Sequence, residues 1–127
     1  DLLELNFKGC FMINEERLQQ VLRGFANDRD WEQFHSPRNL ISALNVEAGE
    51  LLELFQWEST NHVVDVDDPE TRQKVEDEIA DVFIYLLRIA DKLNVPLEDV
   101  ALAKIKKNAE KYPIEKSKGK AVKYTEL

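Results

Sequence analysis

Apolar residues recur every three to four positions along most of this chain, the spacing of amphipathic helices. The first such segment is predicted as a helix over residues 15–27, with a stripe of Leu18, Val21, Leu22 and Phe25. Asn14 precedes it and is a residue type that caps helix N-termini. No apolar–polar alternation of strand length is present. The pattern therefore predicts an all-α fold.

Proline marks the starts of three further predicted helices. Pro37 follows Ser36 and Pro69 follows Asp68, so each proline at a first helical position comes after a capping side chain. Pro96 begins the last helix. These helices are predicted over residues 37–57, 69–93 and 97–111. The helix predicted over residues 69–93 has a wide apolar sector, which predicts burial against another subunit as well as its own bundle.

Two acidic pairs lie within these apolar helices. Glu47 and Glu50 form the first pair, and Glu78 and Asp81 form the second. The i,i+3 spacing places both carboxylates of a pair on one helix face. Carboxylates at a core edge need a compensating charge, and no Lys or Arg lies three or four residues from the first pair. We therefore predict a metal ion between the two helices.

An oxygen-only site of this kind suits Mg²⁺, Mn²⁺ or Ca²⁺. Di-iron bundles use Glu-x-x-His pairs, which are not found here, and no His or Cys lies near the pairs to favour zinc. Ions that hold a polyphosphate and activate a water would support hydrolysis of a phosphoanhydride, with Glu47 and Glu50 as candidates for water activation. The alternative from the residues alone is a solvated acidic ridge on a structural helical protein.

Composition limits the remaining function classes. The chain has 127 residues, 43% hydrophobic and 33% charged, which predicts one globular domain. Its net charge of -8 argues against a nucleic-acid partner, and no apolar run approaches a membrane span. The single Cys10 rules out an intrachain disulfide and fits a reducing cytoplasm. We interpret residues 1–11 as a non-native or upstream extension, and residues 12–127 as the domain.

Several stretches in this order resemble the all-α nucleoside triphosphate pyrophosphohydrolases, which include MazG and the dimeric dUTPases. The most similar branch is the small MazG-like dCTP pyrophosphatases. Besides the two acidic pairs, the resemblance is carried by Arg29-Asp30-Trp31-Glu32-Gln33-Phe34-His35 with Pro37-Arg38-Asn39, by Gly49-Glu50-Leu51 through Phe55-Gln56-Trp57, by Asp77 through Leu86, by Lys104 through Asn108 to Tyr112-Pro113, and by Lys123-Tyr124-Thr125-Glu126-Leu127.

The resemblance implies a four-helix MazG-like bundle that assembles as a homo-oligomer, commonly a dimer of dimers. It implies a Mg²⁺-dependent enzyme, with Mn²⁺ as a substitute, that cleaves a dNTP to dNMP and pyrophosphate in cytoplasmic house-cleaning of the nucleotide pool. The favoured substrate is dCTP or a modified form, with dATP as a second candidate. The rival interpretation is a nucleotide-binding protein of this fold that does not hydrolyse its ligand.

The resemblance also assigns roles to individual residues. The metal ligands would be Glu47, Glu50, Glu78 and Asp81. The substrate-binding residues would be Trp31, His35, Arg38, Asn39, Trp57, Tyr85, Lys104, Asn108, Lys111 and Tyr112. Val46 and Lys107 stand where many relatives carry an acid. These two departures leave the four ligands intact but bear on the number of metal ions and on the identity of the general base.

Overall fold

The structure is a computed structural model that describes residues 12–127, and it is all-α within that range. The predicted extension at residues 1–11 lies outside the described residues. The helices are α1 Glu15–Asp28, α2 Pro37–Glu53, α3 Pro69–Leu93, α4 Leu97–Lys111 and α5 Ile114–Ser117, with 3-10 turns at Glu32–Phe34 and Tyr124–Glu126.

The predicted helix starts are confirmed by their caps. The Asn14 side chain accepts a hydrogen bond from the Arg17 backbone N–H at 3.0 Å, and Ser36 Oγ accepts one from Asn39 at 3.2 Å. Asp68 Oδ2 accepts from the Thr71 backbone N–H at 3.1 Å. Each bond satisfies a backbone donor that a helix start leaves without a partner.

The predicted end of α2 is wrong by about one turn. The helix ends at Glu53, and the chain turns before it reaches Trp57. The backbone N–H groups of residues 54 to 56 bond to carbonyls three positions back, at 3.3, 2.9 and 3.3 Å. These bonds tighten the last turn and end the helix. The short helix α5 was not predicted, because four residues carry too little periodicity.

The chain divides into two compact units, of which the first ends at Leu93. Within it, α2 packs mainly against α3, and α1 packs against α3. The buried apolar residues are Ala26, Leu40, Leu87 and Ala90, and Leu40 and Leu87 are each only 1% exposed. Helix α3 therefore supplies the shared surface on which α1 and α2 are held.

The wide apolar sector predicted for α3 is only partly covered within one chain. Ile79 on α3 is 52% exposed and Leu52 on α2 is 69% exposed. Both line an open apolar groove of about 470 Å³, together with Ala48, Leu51, Phe55 and Val75.

The second unit runs from Asn94 to Leu127 and contains α4 and α5. Its Lys-rich end folds back on the end of α4. The rings of Tyr112 and Tyr124 meet edge to face at 6.1 Å, and the Tyr112 hydroxyl accepts a hydrogen bond from the Tyr124 backbone at 3.3 Å. Gly119, with φ of 77°, supplies a left-handed turn on the way back.

Candidate active site

The contact between α2 and α3 brings three carboxylates together. Glu47 and Glu50 from α2 and Glu78 from α3 each offer an oxygen, and these oxygens lie within 4.8 Å of one another. The two acidic pairs predict that four carboxylates converge, and three of them do so in the structure. Asp81, one turn further along α3, is not a member of this close group. Its charge nevertheless raises the pKa of both Glu47 and Glu78, so it lies at the edge of the cluster.

Two oxygens in the cluster have no hydrogen-bond partner. Oε2 of Glu47 and Oε2 of Glu78 are buried and unpaired within the described residues. A buried carboxylate oxygen without a partner is costly, because it loses its water and gains nothing in return. An electropositive group between α2 and α3 would remove this cost.

Burial and crowding shift the protonation of these carboxyl groups. Burial, followed by hydrogen bonding to Glu50 and the Glu50 charge, raises the pKa of Glu47 to about 7. The pKa of Glu78 is also raised, first by burial and then by the Glu50 charge. Burial and the charges of Glu47 and Asp81 raise the pKa of the Tyr85 hydroxyl.

The donor set suits a hard divalent cation. The three carboxylates on two helices offer only oxygen atoms as ligands. Two of these oxygens have no hydrogen-bond partner among residues 12–127. Mg²⁺ and Mn²⁺ prefer such ligands, whereas structural zinc sites are built from Cys and His. Glu47, Glu50 and Glu78 therefore fit a metal of this class, with Asp81 within electrostatic reach.

The aromatic residues between α1 and α2 form a second feature of this unit. Trp31 and His35 flank the Glu32–Phe34 turn, and their rings meet edge to face with centroids 6.4 Å apart. The Phe25 ring of α1 also meets the Trp31 ring edge to face, with centroids 5.7 Å apart. The Trp31 side chain is still 44% exposed, which leaves surface for a ligand.

Three other predicted substrate residues differ in their surroundings. Asn39 donates its side-chain amide to the Phe34 carbonyl at 2.9 Å, so it stabilises the turn that carries His35. Arg38 is exposed on the first turn of α2. Trp57 follows α2 and is 78% exposed, and its ring packs against no other aromatic ring among residues 12–127.

The remaining predicted substrate residues lie in the second unit. Lys104, Asn108 and Lys111 are exposed on α4, and Tyr112 caps its C-terminus. Lys111 Nζ lies 5.0 Å from the centre of the Tyr124 ring. Their role toward phosphate and sugar stays a prediction.

The sequence pattern did not predict a polar cluster around Arg88. Arg88 lies near the C-terminal end of α3 and is 3% exposed, and its Nη2 contacts Glu32 at 2.9 Å and His35 Nδ1 at 3.1 Å. The position of Arg88 between Leu87 and Ile89, in an apolar sector, could have indicated this cluster. A buried arginine requires acceptors nearby.

Comparison with known proteins places these features in a family. A model of the MazG-like family matches residues 42–127, which include both acidic pairs. The chain belongs to the MazG-like family.

Named relatives of this MazG-like chain agree with that membership. It is 43% identical to dCTP pyrophosphatase 1 of Mus musculus over 113 residues, and 41% identical to that of Homo sapiens over the same length. Each alignment covers 88% of the chain and 66% of the relative, so the chain spans about two thirds of their length.

A solved structure supports the fold. A pyrophosphatase from Archaeoglobus fulgidus aligns with a TM-score of 0.69 and 36% identity, over 80% of this chain and 94% of that chain. The expected MazG-like all-α fold is thereby confirmed. Within residues 12–127, no helix combines the length and apolar character needed to cross a membrane.

Proposed function

We propose that this MazG-like chain is a Mg²⁺-dependent pyrophosphohydrolase that converts a dNTP to dNMP and pyrophosphate. The observation that carries the proposal is the convergence of Glu47, Glu50 and Glu78, with two buried oxygens that have no hydrogen-bond partner among residues 12–127. A cation bound to these carboxylates would compensate their charge and could also bind anionic ligands from outside the protein. A triphosphate is a ligand of that kind.

The favoured substrate is dCTP or a modified form of it. This choice is supported by the names of the relatives, which are dCTP pyrophosphatases, and by the pyrophosphatase of similar fold. Trp31 is 44% exposed, so its ring offers surface on which a base can stack. Stacking alone tolerates every base, so selectivity must come from hydrogen bonds around the base.

The chain's own carboxylates define what the site can do. Glu47, Glu50 and Glu78 would hold the metal, and Asp81 would complete the set. A bound Mg²⁺ would neutralise phosphate charge and would make a water molecule that it binds more acidic. In the metal-free protein, burial and hydrogen bonding to Glu50 raise the pKa of Glu47 to about 7. Glu47 remains, with Glu50, a candidate general base.

Other residues would bind the rest of the nucleotide. Tyr85 adjoins the carboxylates and would pack against the sugar, while Trp31, His35 and Trp57 would surround the base. Arg38 and Asn39 complete that proposed group at the start of α2. The family resemblance assigns Lys104, Asn108, Lys111 and Tyr112 to phosphate and sugar contacts.

We further propose that the protein is a homo-oligomer that acts in the cytoplasm on the nucleotide pool. The open apolar groove that includes Leu52 and Ile79 supports assembly, because exposed apolar surface of this kind favours association. The oligomer would be a dimer of dimers, as the family resemblance implies.

Light scattering coupled to size-exclusion chromatography tests the stoichiometry, and Leu52→Glu should reduce the assembled fraction.

The decisive experiment measures pyrophosphate release from a panel of standard and modified dNTPs, with and without Mg²⁺. We expect Mg²⁺-dependent release, greatest with dCTP or a modified form. Glu50→Gln should lower turnover by at least about 100-fold while the helical circular dichroism stays unchanged. Glu53→Gln, on the same helix but outside the carboxylate group, is the matched control and should retain activity. Nucleotide binding without any release would replace hydrolysis with the binding function.

A further inference from the structure

The buried cluster around Arg88 joins α3 to the turn that carries His35. Nη2 of Arg88 lies 2.9 Å from Oε2 of Glu32 and 3.1 Å from Nδ1 of His35. Its Nη1 lies 3.6 Å from Oδ2 of Asp91. Only 4% of the Arg88 side chain is exposed, so this guanidinium is held in place by packing as well as by its polar partners.

The chemistry of the arginine determines the state of the histidine. A guanidinium has donors but no acceptor, and it stays charged at all pH values of interest. Nη2 carries two N–H groups, which match its two neighbours, the Glu32 carboxylate and His35 Nδ1. Nδ1 must therefore accept, which leaves the single ring proton of a neutral imidazole on Nε2.

The charges around His35 oppose its protonation. Arg88 and Lys92 of α3 and Arg23 of α1 are cations, whereas Glu32 and Asp91 are the carboxylates of this cluster. Of these groups, the Arg88 guanidinium is the one that contacts the His35 imidazole, at 3.1 Å. Burial, followed by the Arg88 charge, lowers the pKa of His35 from its usual value. Imidazolium would also place an N–H of Nδ1 against a donor of Arg88.

His35 Nε2 is left for a ligand. Among residues 12–127 this nitrogen makes no hydrogen bond, while the neighbouring Trp31 ring offers a stacking surface. We propose that Arg88 is a positioning residue for the nucleotide base: it holds His35 neutral and oriented, with Nε2–H as its one donor for an acceptor atom of the base. Cytosine presents two such acceptors, N3 and O2. The inference rests on the proposed function, since it assumes a base beside Trp31.

The wild-type protein provides the first test, and a variant is needed only to assign its two histidines. The chain has two histidines, so nitrogen-15 spectra of the imidazole rings can be assigned by comparison with His62→Gln. We expect His35 to carry its proton on Nε2 and to remain neutral at pH values below the ordinary histidine pKa of 6.5. A proton on Nδ1, or an imidazolium near pH 6.5, would overturn the inference even if the enzyme is fully active.

Arg88→Met provides the second test. It removes the donor to Nδ1 while keeping an unbranched apolar stem. We expect KM for dCTP to rise about three- to tenfold, the range expected for one hydrogen bond, with little change in kcat. KM should also become dependent on pH between about 6 and 7, where His35 would now titrate. Arg72→Met is the control, because Arg72 lies on the same helix in an exposed pair with Glu76.

A double-mutant cycle separates positioning from general destabilisation. Gln at position 35 keeps an amide donor but cannot be protonated, so Arg88→Met should add little to KM in a His35→Gln background. Equal KM effects in both backgrounds would contradict the inference.

If no dNTP releases pyrophosphate, the proposed function fails, while the nitrogen-15 spectra still decide the state of His35. If Arg88→Met does not fold, the wild-type spectra decide alone.

Discussion

Glu47 of α2 and Glu78 of α3 each bury one carboxylate oxygen, Oε2, that has no hydrogen-bond partner within the described residues. Together with Glu50, these side chains bring their oxygens within 4.8 Å of one another. Like charges held this close on two helices oppose the contact between α2 and α3 unless a proton or a cation lies between them. The stability of the metal-free protein and its affinity for Mg²⁺ are therefore linked.

Glu47→Gln should separate stability from metal binding. The substitution removes a charge from the cluster and nearly preserves the volume of the side chain. We expect the metal-free protein to melt at the same or a higher temperature above pH 7, whereas the increase caused by Mg²⁺ should be largely lost. Thermal denaturation with and without millimolar Mg²⁺ measures both effects.

Glu53→Gln is the matched control for that comparison, because it lies on the same helix and is exposed. It should respond to Mg²⁺ as the wild type does. An equal response to Mg²⁺ in Glu47→Gln and the wild type would remove Glu47 from the proposed metal ligands.

The raised pKa of Glu47 predicts a specific dependence on pH. Between the ordinary value of 4.5 and about 7, the folded protein holds a proton on Glu47 that the unfolded chain has released. The stability of the metal-free protein should therefore fall as the pH rises through this window. Mg²⁺ must displace that proton, so its affinity should rise up to about tenfold per pH unit below about pH 7 and then level off.

Calorimetric titration of Mg²⁺ in buffers of different ionisation enthalpy measures the proton release directly. Release should be greatest on the acidic side of the window and small above it. A Mg²⁺ affinity that is constant across the whole window would show that Glu47 does not exchange a proton for the metal.

Asp91→Asn should destabilise the packing of α1 on α3. Asp91 accepts from Nε and Nη2 of Arg23 at 2.7 and 2.8 Å, and it also faces the buried Arg88. The side-chain hydrogen bond from Arg23 is the main reason that the pKa of Asp91 is lowered. Because the substitution leaves Arg88 with fewer acceptors, we expect a loss of about 1–3 kcal/mol in the free energy of unfolding at neutral pH.

The sign of the pH dependence follows from the lowered pKa. The stabilisation by Asp91 is complete above its ordinary pKa of 3.8 and is lost as the pH falls through the lower folded value. The difference between Asp91→Asn and the wild type should shrink accordingly in acid. Glu76→Gln, which breaks an exposed pair with Arg72, should change stability by less than about 1 kcal/mol and serves as control.

Leu87→Ala should lower the free energy of unfolding by about 2–5 kcal/mol, because it opens a cavity at a residue that is 1% exposed. Leu52→Ala, at a residue that is 69% exposed, should have little effect on an isolated chain. Denaturant titrations measure both. In the proposed oligomer, the loss in Leu52→Ala should grow with protein concentration, because Leu52 would be buried between subunits.

The secondary structure was largely predictable because its signals are local. The capping residues Asn14, Ser36 and Asp68 set the helix starts, and the predicted bounds of α3 and α4 agree with the structure. The end of α2 was not predictable in the same way, because residues beyond Glu53 remain apolar and carry no helix-stopping residue. A tightened last turn, rather than a sequence signal, ends that helix.

The acidic spacing predicted which residues could form the site, but not how closely they approach. Two i,i+3 pairs place carboxylates on helix faces whatever the fold, since that spacing depends only on the helical repeat. The packing of α2 on α3 decides that Glu47, Glu50 and Glu78 form the close group and that Asp81 acts from its edge.

The sequence by itself determined the all-α class, the helix starts and the identity of the acidic residues, because these follow from periodicity, capping and composition. Only the tertiary structure decided that two carboxylate oxygens are buried without partners, and that Arg88 meets Glu32 and His35. Arg88 lies 56 residues from Glu32 and 53 from His35. Contacts at that separation depend on how helices pack, which no local pattern of residues encodes.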